Sequence, residues 1–149
     1  MEQYQISKGT YFYAIGLSYK KADAEIRGHF SLDDTGKQAI LNQAKANGIE
    51  SLIVTSTCNR TEIYGFAEHP YQLIKLLCDN TKGTVDEFQK VAYIYKNREA
   101  ISHMFRVGSG LDSQILGDFE IIGQLKTATI ASKKLGLVNA FIERLINSV

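Results

Sequence analysis

Residues 55–61, TSTCNRT, set one cysteine among small hydroxyl side chains, with an arginine two positions further on. A thiol becomes a nucleophile once ionised, and a nearby cation with backbone N–H groups stabilises the thiolate. Arg60 can supply that charge. Being permanently protonated it cannot serve as a base, but its planar fork suits a substrate carboxylate. Ser56, Thr57, Asn59 and Thr61 add donors able to orient an acyl group. The chemistry this favours is acyl transfer to Cys58. The bland alternative is a cysteine filling a gap at a strand end, and residue types alone leave both open. Cys78 is different: it lies in LIKLLC at helical spacing and reads as a core residue.

Three histidines are scattered along the chain. His29 ends an early helix and His69 sits beside Pro70 in a loop, whereas His103 lies on a predicted helix and is the best-placed acid or base. Two cysteines without a CxxC pair, and histidines without ligand spacing, give no metal site. The glycines of GSGLDS (108–113) do not follow a strand, so they are no dinucleotide fingerprint; they let backbone approach a ligand or another segment.

These groups need a scaffold. A chain of 149 residues, 44% hydrophobic and 22% charged, suits one globular domain. A net charge of +1 excludes binding to nucleic acid through a general polycationic field, though not through a local basic patch. The N-terminus lacks the pattern of a signal peptide and no apolar run is long enough to cross a bilayer. A cytoplasmic, reduced-thiol protein is expected.

Residues 11–18, YFYAIGLS, read as a strand, and Asp33 as the cap of a helix running to Asn47-Gly48. Strands follow at 50–57 and 61–67, with Cys58, Asn59 and Arg60 at the bend. Leu52, Val54, Ser56 and Cys58 would share one strand face. A helix over 71–79, a strand over 91–95, a helix capped by Asn97 through about Val107, and helices over about 119–134 and 138 onward complete the reading. The fold class expected is α+β, a ferredoxin-like antiparallel sheet of about four strands with helices on one face and further helices at the C-terminal end. Phe141, Ile142, Leu145, Ile146 and Val149 form an apolar stripe that ends without a cap. It predicts a helix that continues, an N-terminal piece of a longer protein, and an exposed surface.

STCNRTEIY (56–64) resembles the signature of glutamyl-tRNA reductase. AIGLSYKKADAEIR (14–27) resembles that family's opening strand and helix, and SHMFRVGSGLDSQILGDFEIIGQLK (102–126) its second signature. The resemblance implies an NADPH-dependent oxidoreductase of tetrapyrrole and porphyrin biosynthesis. Cys58 would attack the aminoacyl ester of glutamyl-tRNA(Glu), forming a thioester that hydride reduces to glutamate-1-semialdehyde. His103 falls at the histidine needed for activity. Thr57, Asn59, Arg60, Ser113 and Gln124 fall at substrate-holding positions, as do Asp118, Phe119 and Glu120, where the family commonly has Glu-Pro-Gln. Tyr19 stands where a histidine is common.

The resemblance further implies residues 1–136 as the catalytic domain and 137–149 as the start of a linker helix. That helix would lead toward NADPH-binding and dimerisation domains beyond this chain, so NADPH is not expected to bind here. The implied partners are glutamyl-tRNA(Glu), glutamate-1-semialdehyde aminomutase for product channelling, and a second copy in the full-length homodimer. Apart from the resemblance, two other readings remain: a Cys/His hydrolase or acyltransferase on a small ester, and a non-catalytic module that binds an RNA end.

Overall fold

Seven apolar or aromatic residues in a row, Tyr11 to Leu17, leave β1 (Tyr11–Ser18) no polar face to turn to water, and the structure buries it on both sides. In the computed structural model, which describes residues 9–110 and 120–149, this strand lies inside a four-stranded sheet. It is followed by α1 (Ala24–His29), α2 (Asp34–Ala46), β2 (Leu52–Ser56), β3 (Arg60–Ala67), α3 (Pro70–Asp79), α4 (Val85–Val91) and β4 (Tyr93–Lys96). Three helices close the described chain: α5 (Arg98–Gly108), α6 (Glu120–Lys133) and α7 (Ala140–Ser148). The strand order is β2-β3-β1-β4, and every neighbouring pair is antiparallel. With a helical connection between β1 and β2, a tight bend into β3 and a second helical connection to β4, this is the ferredoxin-like arrangement expected.

Strand alternation sorts the core into two. Tyr13, Ile15, Leu17, Leu52, Val54 and Ile63 pack with side chains of α2 and α3, and with Phe30 and Phe88. Phe12, Ala14, Ile53, Tyr64 and Phe66 pack with Ala100, Met104 and Val107 of α5, Leu125 of α6, and Ile142 and Ile146 of α7. Helices therefore cover both faces of the sheet, not one. The stripe on α7 is likewise not exposed: Ile142, Leu145 and Ile146 are buried, and the Phe141 ring lies 5.4 Å from that of Phe12 and 5.5 Å from that of Phe66. An apolar stripe needs an apolar partner, and the even-numbered face of β1 and β3 supplies it.

Asp33 caps α2, its carboxylate accepting from the Gly36 N–H at 2.8 Å, and Gly48 beyond the C-terminus takes φ +79°. Asn97 precedes α5 but makes no side-chain cap; its amide oxygen accepts instead from the Phe12 N–H at 3.2 Å, tying β4 to β1. The unforeseen element is α4, begun by a capping box in which Thr84 and Glu87 bond each other's backbone N–H. Its Phe88 packs edge-on against Phe30, with ring centroids 5.7 Å apart. No helix among the described residues is long and apolar enough to cross a membrane.

Candidate functional site

The bend between β2 and β3 is locked through its backbone. Thr57 Oγ1 accepts from the N–H groups of Asn59 at 3.1 Å and Arg60 at 3.2 Å, and the Thr57 N–H donates to the Arg60 carbonyl at 2.8 Å. Tyr19, just past β1, donates its N–H to the Asn59 carbonyl at 2.9 Å. Arg27 on α1 donates Nε–H to the Cys58 carbonyl at 3.0 Å and Nη1–H to the Ala22 carbonyl at 2.7 Å. Strand β2 ends at Ser56, so strand alternation does not reach Cys58, which lies exposed on the bend. Its exposure excludes the buried-filler reading. Cys78 is partly buried against the core, and burial pushes its thiol up from the usual value.

Beside the bend, the face of the sheet that carries α5 becomes polar. Arg60, Glu62 and Tyr64 alternate on β3, and all three are buried, Glu62 to 1% exposure and Arg60 to 2%. The Glu62 carboxylate is a hub. It accepts from Tyr64 Oη at 2.9 Å, from the Tyr93 hydroxyl, and from His103 Nε2 at 2.5 Å, and Arg60 Nη1 lies 3.7 Å away. Gly16 makes this possible, because it pairs with Glu62 on one side and Tyr93 on the other. A Cβ there would stand 2.4 Å from the Thr61 carbonyl oxygen and 3.0 Å from Glu62 Cγ.

Burial pushes the Glu62 carboxyl up. The hydrogen bond and charge of His103, the Arg60 guanidinium and the Tyr93 hydroxyl outweigh it and hold the group below its ordinary range. Tyr64 moves well above its usual value, first by burial and then by the Glu62 charge beside it. His103 sits 2% exposed among the rings of Tyr93 and Tyr95, at 4.7 and 4.8 Å between centroids. Its Nδ1 is buried with no hydrogen-bond partner among the described residues. With Nε2–H donated to the Glu62 carboxylate, Nδ1 is the ring nitrogen left with its lone pair free to accept.

The sheet carries two cavities at its margins. One, of about 270 Å³, is lined by His103, Arg106, Tyr93, Tyr95, Ser18 and Lys20 among others. The other, of about 630 Å³, lies between α2 and α6 along the free edge of β2, where Gln124 and Thr127 face Lys37, Val54 and Thr55. Of the residues singled out by sequence, Thr57, Cys58 and Asn59 form the bend, Arg60 and His103 meet at Glu62, and Gln124 lines the larger cavity. Ser113, Asp118 and Phe119 lie outside the described residues, as does the glycine-rich loop before them; Glu120 opens α6, and its side chain too lies outside the description. Glu62, Tyr64 and Tyr93 lie outside the set that the motif spacing picks out. A period-two reading from Arg60 would have found the first two, since a charged residue at every second place of an otherwise apolar strand marks a polar site. No group of three or more metal-ligating side chains gathers among the described residues.

A family model described as glutamyl-tRNA(Glu) reductase, N-terminal domain, matches residues 15–149. Over all 149 residues the chain is 72% identical to a glutamyl-tRNA reductase of Christiangramia forsetii, covering 36% of that protein. It is 69% identical over the same length to glutamyl-tRNA reductase 2 of Flavobacterium johnsoniae, covering 34%. Among solved structures, glutamyl-tRNA reductase from Methanopyrus kandleri superposes with a TM-score of 0.73 at 25% identity, over 91% of this chain and 32% of the other. The chain thus spans about a third of the length of the curated relatives it matches. With the family model reaching from β1 to the last residue and the sheet and helices matched in space, the chain belongs to the family of glutamyl-tRNA reductase N-terminal domains.

Proposed function

We propose that this chain is the acyl-accepting domain of a glutamyl-tRNA reductase, in which Cys58 takes the glutamyl group from glutamyl-tRNA(Glu). The Cys58 sulfur attacks the ester carbonyl, a carbon–sulfur bond forms, and the bond to the terminal ribose oxygen breaks. The thiol proton passes to His103 Nδ1, which the Glu62 carboxylate holds in the right tautomer, and from there to the departing ribose oxygen. Thr57, Asn59 and Gln124 hold the glutamyl group, Arg60, buried against Glu62, supplies positive charge beneath it, and Ser113, Asp118, Phe119 and Glu120 complete its surroundings. The observation that carries this reading is an exposed cysteine on a backbone-locked bend beside a buried histidine–carboxylate pair, in a chain of this family.

NADPH would supply the hydride that reduces the thioester to glutamate-1-semialdehyde. The described residues do not fit a dinucleotide: the sheet is antiparallel throughout, and no glycine-rich turn leads from a strand into a helix N-terminus. Their part in the proposal is to form and hold the thioester that the hydride reduces. Residues 1–136 as catalytic domain, 137–149 as the beginning of a linker, a cytoplasmic location, a homodimer and hand-over of the product to glutamate-1-semialdehyde aminomutase complete the proposal.

One feature favours a second reading. A histidine oriented by a carboxylate is what a cysteine hydrolase of small esters also requires. The test is an acid quench of the protein with labelled glutamyl-tRNA, followed by location of the label by mass. Label on Cys58, abolished in Cys58→Ser, is expected. Undiminished transfer in that variant removes Cys58 from the reaction, and equal turnover of a simple glutamate ester favours the hydrolase.

A further inference from the structure

The 270 Å³ cavity between the loop after β1, strand β4 and helix α5 concentrates charge that a chain of net charge +1 does not carry in general. Lys20, Lys21 and Arg106 line it, and no carboxylate among the described residues does; the nearby Glu62 is buried and engaged by His103 and Tyr93. His103 also lines the cavity, and its buried Nδ1 has no hydrogen-bond partner among the described residues. Tyr93 and Tyr95 stack at 5.4 Å and 27°, forming an aromatic wall beside Val91 and Ala92. Cations opposite aromatic side chains are the combination that holds a single-stranded nucleotide, the cations on its phosphate and the rings against its ribose and base.

The cavity also lies where such a nucleotide must be. Tyr19 joins Ser18 to Lys20 and donates its N–H to the carbonyl of Asn59, so the lysine loop is tied to the bend that carries Cys58. An aminoacyl ester sits on the terminal ribose, and the nearest negative charge of the RNA is the phosphodiester on the other side of that ribose. With the ester carbonyl at Cys58, that phosphate falls one sugar away. We propose that this cavity is the subsite for the 3′-terminal nucleotide of the RNA acceptor end, with Lys20, Lys21 and Arg106 on its phosphodiester and Tyr93 and Tyr95 against the nucleoside. The proposal rests on the acyl-transfer reading and assigns the part of the substrate which that reading leaves unplaced.

The test uses the full-length protein carrying Cys58→Ser, so that no transfer occurs, and an uncharged acceptor-stem hairpin with a single-stranded 3′ end. Affinity is measured with the natural terminal phosphodiester and with a neutral methylphosphonate in its place. The neutral linkage is expected to weaken binding severalfold in this protein and to have no effect once Lys20→Gln, Lys21→Gln and Arg106→Gln are added. The triple variant should also lower the slope of log affinity against log salt by about one for each phosphate left without its cation. Arg106→Gln alone, at an exposed helix position, gives a partial version of the same result should the triple variant fold poorly. An equal methylphosphonate cost in both proteins, or none in either, overturns the assignment. Intact linkage dependence with no glutamyl transfer to Cys58 in the wild type would instead uphold the subsite and refute the reaction.

Discussion

Glu62→Gln is the most informative single change in this domain. Glutamine keeps the size of the side chain and its hydrogen-bonding oxygen but removes the charge that faces Arg60 and His103. Both partners are 2% exposed, so water cannot replace the lost counter-charge. Removing one charge from a buried pair costs about 3–5 kcal/mol, because the attraction it supplied is lost where water cannot enter. Against a total stability of about 5–15 kcal/mol for a domain, that is a large fraction. At about 2–4 °C per kcal/mol for a chain of this size it lowers the melting temperature by about 6–20 °C.

The pH dependence gives an independent check. The folded carboxyl is held below its ordinary value of 4.5, so its contribution is complete above about that pH and is lost as pH falls through the folded value. The penalty of Glu62→Gln should therefore be constant from neutrality down to that region and shrink below it. Urea unfolding at a series of pH values reads both effects, with the midpoint shifting at constant slope. A penalty under about 0.5 kcal/mol at pH 7, the size of an ordinary surface change, would show that the carboxylate is not the charged hub described.

Further expectations follow from single distances and burials. Gly16→Ala forces a Cβ against the Thr61 carbonyl and Glu62 and should cost about 1–3 kcal/mol by denaturation, with perturbed tyrosine fluorescence from the displaced Tyr93. Ile142→Ala on α7, at full burial, should cost about 2–5 kcal/mol; an effect near zero would mean the last helix does not dock on the sheet. Arg27→Ala releases the Cys58 carbonyl, and should lower the rate of acyl transfer to Cys58 more than it weakens RNA binding, while Arg27→Lys restores part of the rate. Tyr93→Phe removes one donor from the buried carboxylate and should cost about 1–3 kcal/mol, read by thermal unfolding.

Local chemistry and periodicity made much of this protein legible from its residues. The Asp33 cap, the Asn47-Gly48 stop, the strand at 11–18 and the bend at Cys58 follow from short-range preferences, which act wherever the chain goes. The order of motifs carried the family in the same way. The helix α4 is equally legible in the capping box of Thr84 and Glu87. What the residues could not disclose is which distant groups meet. Glu62 becomes a hub only because β1 lies between β3 and β4 and offers a glycine at the crossing, and because α5 folds back over that face to deliver His103, 41 positions away in sequence. Asn97 looked like a helix cap and became a tie to Phe12 for the same reason. A strand's alternation says which side chains share a face. Only the packing of the whole chain decides what covers that face, and so whether a charge there meets water or a partner.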